Sequence, residues 1–118
     1  MTFPEINRAL RGHDFYPPTL DAIPGLYATE STPLDDKIVF AKYHVRHGVG
    51  EWFVMELDHR EDDVQALAFG WANLGQEELG YFDLIALESV LVERPGGEAA
   101  LVVRDLSWTP RPWSEVRP

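Results

Sequence analysis

The stretch LGYFDLIALE, residues 79–88, decides much of the fold because it joins an aromatic strand to a short helix through one acidic residue. Residues 79–82 predict a strand. Asp83 is a residue type that caps helix N-termini, and it precedes a helix predicted over Leu84–Val90. One face of that helix is apolar and is expected to pack on a sheet; its residues are Leu84, Leu87 and Leu91.

Alternating apolar residues on both sides of this stretch predict further strands. These are Leu26–Glu30, Lys37–Val45, Glu51–Asp58, Val64–Ala72 and Ala99–Leu106. Short loops join three consecutive strands, which is typical of an antiparallel meander. In the strand that begins at Glu51, the expected core face consists of Phe53, Met55 and Leu57.

The two ends of the chain predict less regular structure. A short helix is predicted over Phe3–Arg11, with Phe3, Ile6 and Leu10 on one face. The tail Trp108–Pro118 is rich in proline and is expected to wrap the surface, with its two tryptophans partly exposed. The predicted fold is α+β: an antiparallel sheet of about five strands, with a short N-terminal helix and one helix after the fourth strand packed on a face.

The composition is that of one globular domain, expected to span residues 1–118. Apolar residues make up 45% of the chain and charged residues 25%, as in ordinary folded domains. The chain has no cysteine, which excludes disulfides, thiolate nucleophiles and cysteine-ligated zinc. Its apolar runs are too short for a membrane span, and its N-terminus lacks the pattern of a signal peptide, so a cytoplasmic location is expected.

The formal charge is concentrated in residues 51–93, which contain eleven acidic residues and one arginine, for a local charge of −10. So acidic a chain is not expected to bind nucleic acid or an anionic membrane directly, because both demand basic residues. It attracts partners with a basic surface instead. Solubility is the simpler explanation of the charge. The residues expected to form an acidic binding surface are Glu61, Asp62, Asp63, Glu77 and Glu78.

A second group of residues predicts a ligand cleft. It combines carboxylates with one arginine and one phenol: Glu56, Glu78, Tyr81 and Arg104, with Asp83 nearby. Paired carboxylates serve acid–base chemistry when a cleft holds them close together. For Arg104 the favoured role is structural, as one partner of a buried ion pair with Glu56, Glu78 or Glu88, and the ligand site is the rival; such pairs stabilise a fold only while both partners are present.

Histidines offer one further possibility. His44 lies in one predicted strand and His47 in the turn after it, and the next strand ends in Glu56, Asp58 and His59, so a hairpin offers nitrogen and oxygen ligands for a metal. His47 lies in a glycine-flanked turn, where surface histidines are common. We expect no metal and no other cofactor.

Five separate motifs resemble the family called domain of unknown function 2958. They are PGLYATE at 24–30, WFVMELD at 52–58, FG at 69–70, EELGYFDL at 77–84 with Leu87 and Glu88, and RDL at 104–106 with Trp108 and Pro110. The resemblance covers roughly residues 20–112. His44 and the turn at 95–98 depart from the family pattern. The resemblance implies a gene carried by bacterial plasmids, integrative elements or phages, and it implies no chemistry.

Together these observations favour a small acidic protein-interaction module from a mobile genetic element. Its sharper form is a DNA mimic, whose carboxylates stand in for phosphates and block a host protein that binds DNA or defends the cell. The alternative is a small enzyme or ligand-binding protein that uses the cleft of Glu56, Glu78, Asp83 and Arg104. An enzyme is less expected, because no nucleophile motif or phosphate loop is present. The oligomeric state is open.

Overall fold

A computed structural model describes residues 3–58 and 65–117 of the chain. Its strands are β1 (Ile38–Val39), β2 (Ala41–Arg46), β3 (Glu51–Leu57), β4 (Leu67–Asn73), β5 (Glu77–Asp83), β6 (Leu91–Val92), β7 (Ala100–Arg104) and β8 (Arg111–Pro112). Its α-helices are α1 (Arg8–Arg11) and α2 (Leu84–Ser89). Short 3-10 helices occupy Leu20–Ala22, Leu34–Asp36 and Trp113–Glu115.

The strands form one six-stranded sheet, in the order β5-β4-β3-β2-β7-β6, and a two-stranded sheet of β1 and β8. Every neighbouring pair is antiparallel. The α+β class and the helix after the long strands are therefore confirmed. The described strands outnumber the expected five because two-residue strands complete both sheets.

The two sides of the large sheet are covered differently. On the side that we call the helix face, the N-terminal segment and α2 pack over buried side chains such as Tyr43, Val54 and Val102. On the side that we call the tail face, the C-terminal segment packs over Val39, Phe53 and Met55. The central strand β3 is consequently buried on both faces, and Glu56 is buried within it.

A bulge in β3 corrects the expected pattern of that strand. The pairing with β4 shifts register between Val54 and Glu56. Because one extra residue reverses the alternation of side chains, Leu57 joins Val54 on the helix face, whereas Phe53 and Met55 stay on the tail face. The prediction that Phe53, Met55 and Leu57 share one face was therefore wrong.

The predicted strand Leu26–Glu30 was also wrong, because this segment is a series of turns. The amide of Ala28 donates to the carbonyl of Gly25, and the backbone of Tyr27 is left-handed with φ +67°. Regular strand residues have a negative φ, so this backbone does not continue a strand. We call residues 24–30 the acid-bound loop, for the contacts described below.

Both ends of the chain differ from their predictions. The N-terminal helix is only Arg8–Arg11, and Ile6 and Leu10 are exposed. The buried side chains there are Phe3, Asn7 and Arg11. In the tail, Trp113 is buried rather than partly exposed, because its backbone amide donates to Lys37 and its ring packs in the tail face. Within the described ranges, neither helix has the length and apolarity needed to cross a membrane.

Candidate functional site: the β5 edge and the tail-face pocket

Glu56 is buried and organises the acid-bound loop. Its carboxylate accepts hydrogen bonds from the backbone amides of Tyr27, at 2.8 Å, and Thr29, at 3.1 Å. The hydroxyl of Thr29 donates to the same carboxylate, and Lys37 Nζ donates to that hydroxyl oxygen at 2.9 Å. This member of the predicted cleft therefore holds the fold together, since its oxygens already have partners.

Glu88 is the second buried acid, and it fixes the N-terminal segment. Its two carboxylate oxygens accept the amides of Ile6 and Asn7, each at 2.9 Å. Arg11, which is also buried, lies 3.0 Å from one of those oxygens and donates to the Glu88 carbonyl at 3.1 Å. A buried ion pair thus exists, but its arginine is Arg11.

Arg104 was expected to form that pair, and this prediction was wrong. Its guanidinium donates to the backbone carbonyl of Asp14, at 3.2 and 3.3 Å. It lies on β7, and three strands separate β7 from the β5 strand that carries Glu78. Arg104 consequently does not join Glu56, Glu78 and Tyr81 in one cleft.

Asp83 ends β5 and caps α2, as the sequence predicted. Its Oδ1 accepts the amide of Ile85 at 3.0 Å and the amide of Ala66 at 2.8 Å. The same carboxylate therefore fixes the start of α2 and the approach to β4. These two contacts account for the residue without a catalytic role.

Tyr81 does lie beside the acid-bound loop. Its ring is 5.2 Å from that of Phe69 and 6.4 Å from that of Tyr27. A hydrogen bond with the Tyr27 side chain raises the pKa of the Tyr81 phenol above its ordinary value. Tyr81 is therefore neutral at physiological pH. Its side chain is half-exposed, and its ring packs near those of Phe69 and Tyr27.

The edge strand β5 leaves half of its backbone hydrogen bonds open. The amide of Leu84 donates to the carbonyl of Ala66. Because hydrogen-bonded and non-hydrogen-bonded pairs alternate along an antiparallel ladder, the residues of β5 that bond to β4 are Glu78, Gly80 and Phe82. The backbones of Leu79 and Tyr81 therefore point away from the sheet. Their side chains are 41% and 49% exposed. Such an edge is a template for an additional strand.

The other edge of the sheet is much shorter. It is formed by β6, which has two residues, against seven in β5. Of the acids expected to form the binding surface, Glu77 and Glu78 are exposed at the start of β5. Glu77 pairs with Asn73 on the tail face, and Glu78 points to the helix face. The other three, Glu61, Asp62 and Asp63, lie outside the described residues.

A pocket of about 390 Å³ opens on the tail face. Aromatic rings form its floor: Phe53, Trp71, Trp108 and Trp113. Trp71 and Trp113 lie 4.9 Å apart by ring centroids, and Phe53 and Trp113 lie 5.4 Å apart. Three of the four tryptophans of the chain thus share one concave surface.

Charged side chains surround this aromatic floor. Arg111 lies 4.1 Å over the ring of Trp108, and Lys42 Nζ lies 5.6 Å over Phe53. The carboxylates at the rim are Glu51, Glu77 and Glu115. Within the ranges that the structure describes, none of these three forms an ion pair.

Polar residues extend the pocket along the open end of the tail face. Cross-strand pairing places His44 opposite Glu51, and Glu51 opposite Asn73. Asp105 follows β7 near Lys42. Burial raises its pKa, but hydrogen bonds from Ser107 and the charges of Lys42 and His44 outweigh burial, so the pKa of Asp105 lies below its ordinary value. Asp105 is therefore a carboxylate at neutral pH.

The histidines and acids considered for a metal site lie at different places. His44 lies in β2, opposite Glu51 at the start of β3, whereas Glu56 is near the other end of β3. His47 is in the turn with φ 62°, and His59 lies outside the described residues. Among residues 3–58 and 65–117, no three histidine or acidic side chains are grouped to hold a metal ion.

Comparison with known protein families then identifies a relationship. The family model described as Protein of unknown function (DUF2958) matches residues 25–114. The chain belongs to this family. The matched part of this DUF2958 protein contains all eight described strands and α2, and it begins after Arg11. No curated protein and no solved structure matches the chain.

Sequence reasoning missed the tail-face pocket, although two signals for it were present. Phe53 and Trp71 occupy alternating positions of two neighbouring predicted strands, so a matched register places them side by side. The aromatic tail was expected to be on the surface, but no local pattern states which sheet face it covers. The pocket forms only because the tail packs on this face of the sheet, which is a long-range contact.

Proposed function

We propose that this DUF2958 protein is a protein-interaction module that binds an extended, basic segment of a host protein along the outer edge of β5. The observation that carries the proposal is the outward-facing backbone of Leu79 and Tyr81 in an exposed seven-residue edge strand. Strand addition satisfies such groups with new main-chain hydrogen bonds. Because the other edge has only two residues, β5 offers the longer template.

The charge of β5 supports a basic partner. Glu77 and Glu78 lie on opposite faces of the strand and are both exposed. A partner strand with lysine or arginine on both faces therefore meets a carboxylate on each side. These acids also discourage pairing between two copies of β5, because like charges are brought together in a symmetric pair.

Mimicry of DNA is the narrower form of this proposal. A mimic needs carboxylates on one surface with a spacing similar to that of phosphates. The exposed acids Glu77 and Glu93 instead lie near opposite edges of the sheet, and Glu56 and Glu88 are buried. The arrangement of the described residues thus favours strand addition. Competition between this protein and duplex DNA for one basic partner, with strong salt dependence, tests mimicry.

The test of strand addition uses a capped peptide of repeated Lys-Lys-Val-Val, which places lysine on both faces of a strand, titrated into isotopically labelled protein. We expect the largest backbone amide shifts at Leu79 and Tyr81. The variant Leu79→Pro removes an outward amide without breaking the ladder to β4, since proline is tolerated where the N–H faces solvent. It should weaken binding about tenfold, the effect of losing roughly one hydrogen bond and its geometry.

The charge contribution is tested with a matched pair of double variants. E77Q/E78Q removes two exposed acids from β5, whereas E93Q/E98Q removes two exposed acids from elsewhere. Association should slow several-fold more for the first variant than for the second, because nearby charges steer encounter. Equal effects of the two variants, or peptide shifts away from β5, would contradict the proposal. Melting curves and the amide spectrum of β3 check that each variant is folded.

A further inference from the structure

The tail-face pocket lies next to the edge that strand addition uses. Trp71 in β4 pairs directly with Leu79 in β5. Glu77, at the start of β5, lines the pocket together with Trp71. A smaller cavity of about 230 Å³ shares Trp71, Glu77 and Trp113 with it on the same face; its own cation, Arg117, lies 3.1 Å from the Asp35 carboxylate. A strand added outside Leu79 would lie two strand spacings, or ~10 Å, from Trp71. In that strand, the side chain of the residue opposite Leu79 would point to the same face as Trp71, and a long one would extend over it.

The aromatic floor has one ring that is open to a cation. Trp108 is covered by Arg111 and Phe53 by Lys42, at the distances given above. Trp71 is partly exposed, and in the described part of the chain no cationic side chain lies over it. Tryptophan is the best aromatic partner for a cation.

The rim supplies the matching negative charge. Glu51, Glu77 and Glu115 surround the floor, against two cations that already lie on rings. A guanidinium is flat, stacks on aromatic rings and forms two parallel hydrogen bonds to a carboxylate. An ammonium offers neither the stacking plane nor the paired geometry. The site therefore suits arginine better than lysine.

Resting on the proposed strand addition, we propose that the tail-face pocket is a specificity site for one arginine side chain of the partner strand. Its guanidinium stacks on Trp71 and bonds to Glu77, with Glu51 and Glu115 adding negative potential. The acidic edge then recruits a basic segment, and the pocket selects one residue within it.

The test compares three capped peptides of alternating threonine and valine that differ only at the central residue: arginine, lysine or citrulline. Citrulline keeps the shape of arginine and lacks its charge. Binding is followed by backbone amide shifts at Leu79 and Tyr81 and by the indole N–H signal of Trp71. We expect the arginine peptide to bind about tenfold more tightly than the citrulline peptide, and several-fold more tightly than the lysine peptide. Only the arginine peptide should strongly shift the Trp71 indole.

Variants separate the pocket from the edge. Glu77→Gln should reduce the preference for arginine over citrulline, and Trp71→Leu should abolish it. Glu78→Gln is the matched control, because it lies on the same strand but points to the helix face; it should leave the preference unchanged. Trp71→Leu is used only if its amide spectrum matches that of the parent, and Glu77→Gln carries the test otherwise.

The outcomes distinguish the two proposals. Equal binding of all three peptides, with shifts at Leu79 and Tyr81, would overturn the arginine site and leave strand addition standing. A preference for arginine that persists in Glu77→Gln and is lost in Glu78→Gln would also overturn it. If none of the peptides shifts Leu79 or Tyr81, strand addition and the arginine site both fail.

Discussion

The acids of residues 51–93 are of two kinds, and the contrast is sharpest between Glu88 in α2 and Glu78 in β5. Glu88 is 2% exposed and binds two backbone amides and a buried arginine. Glu78 is exposed and points to solvent at the edge of the sheet. The same residue type, ten positions apart, therefore serves the fold in one case and the surface in the other. Local charge density does not distinguish them; burial does.

The largest effect is expected from Glu88→Gln. The substitution leaves the buried Arg11 with the more distant Glu5 carboxylate, at 3.4 Å, as its ionic partner, and removal of one partner from a buried pair typically costs ~3–5 kcal/mol. Denaturant unfolding with the chemical midpoint and slope measured together gives the change in free energy. Glu93→Gln, an exposed acid nearby in sequence, is the control and should change stability by less than ~0.5 kcal/mol. Similar losses for both would mean that Glu88 is not buried as described.

Glu56→Gln should have the next largest effect. The variant keeps an oxygen that can accept one amide of the acid-bound loop, but it loses the charge that accepts from the Thr29 hydroxyl, to which Lys37 Nζ donates. Hydrogen bonds to charged groups contribute ~1.5–3 kcal/mol, so a loss of that size is expected. Amide exchange of Tyr27 and Thr29 should accelerate before that of Val54. Unchanged exchange at Tyr27 and Thr29 would argue against the carboxylate as the organiser of the loop.

Tyr16 extends the comparison to the surroundings of Glu88. Burial and the charges of Glu88 and Glu5 raise the pKa of the Tyr16 phenol above 10.0. A raised pKa means that stability is complete below the unfolded-state pKa and falls as pH rises above about 10. In the described ranges the buried Tyr16 hydroxyl has no hydrogen-bond partner. Tyr16→Phe should therefore be neutral or stabilising at pH 7.

The pH dependence of stability in Tyr16→Phe tests the raised pKa of Tyr16. Tyr16→Phe should reduce the loss of stability between pH 10 and higher values, as followed by circular dichroism in urea. Tyr43→Phe is the informative comparison, because burial also raises the pKa of Tyr43, but its hydroxyl donates to the Phe15 carbonyl at 2.9 Å. That variant should lose ~0.5–1.5 kcal/mol at pH 7. An equal loss in both variants would show that Tyr16 has a bonded hydroxyl.

The smallest effect on stability is expected from E77Q/E78Q. Both side chains are exposed, and surface substitutions of this kind typically change stability by less than ~0.5 kcal/mol. Thermal melting measures this directly. The same variant should clearly slow association with a basic peptide. Glu88→Gln protein that remains folded should associate with the peptide at the rate of the parent. A stability loss comparable to that of Glu88→Gln would remove the distinction between the two kinds of acid.

Local chemistry made part of this structure predictable. Asp83 before an apolar helix was recognised as a cap, and it is one. Alternation located the long strands to within a few residues. The misplaced elements depend on contacts between distant residues: Glu56 binds Tyr27 across 29 positions, and Arg11 binds Glu88 across 77. Such contacts leave no periodic signal.

The candidate site was likewise predictable from the sequence only in part. Exposure of Glu77 and Glu78 follows from their place at the start of β5, and their charge was evident in the sequence. The predicted cleft failed because it required Arg104 to lie near β5, and the strand order places three strands between β7 and β5. The tail-face pocket was missed because the tail must fold back over the sheet before Trp108 and Trp113 meet Phe53 and Trp71.

The most direct test of the central claim is residue-resolved amide exchange along β5, with and without the lysine–valine peptide. In the free protein, the amides of Glu78, Gly80 and Phe82 should be protected, and those of Leu79 and Tyr81 should exchange rapidly. With the peptide bound, Leu79 and Tyr81 should become protected while their neighbours change little. Rapid exchange at Leu79 and Tyr81 in the presence of saturating peptide would contradict strand addition at this edge.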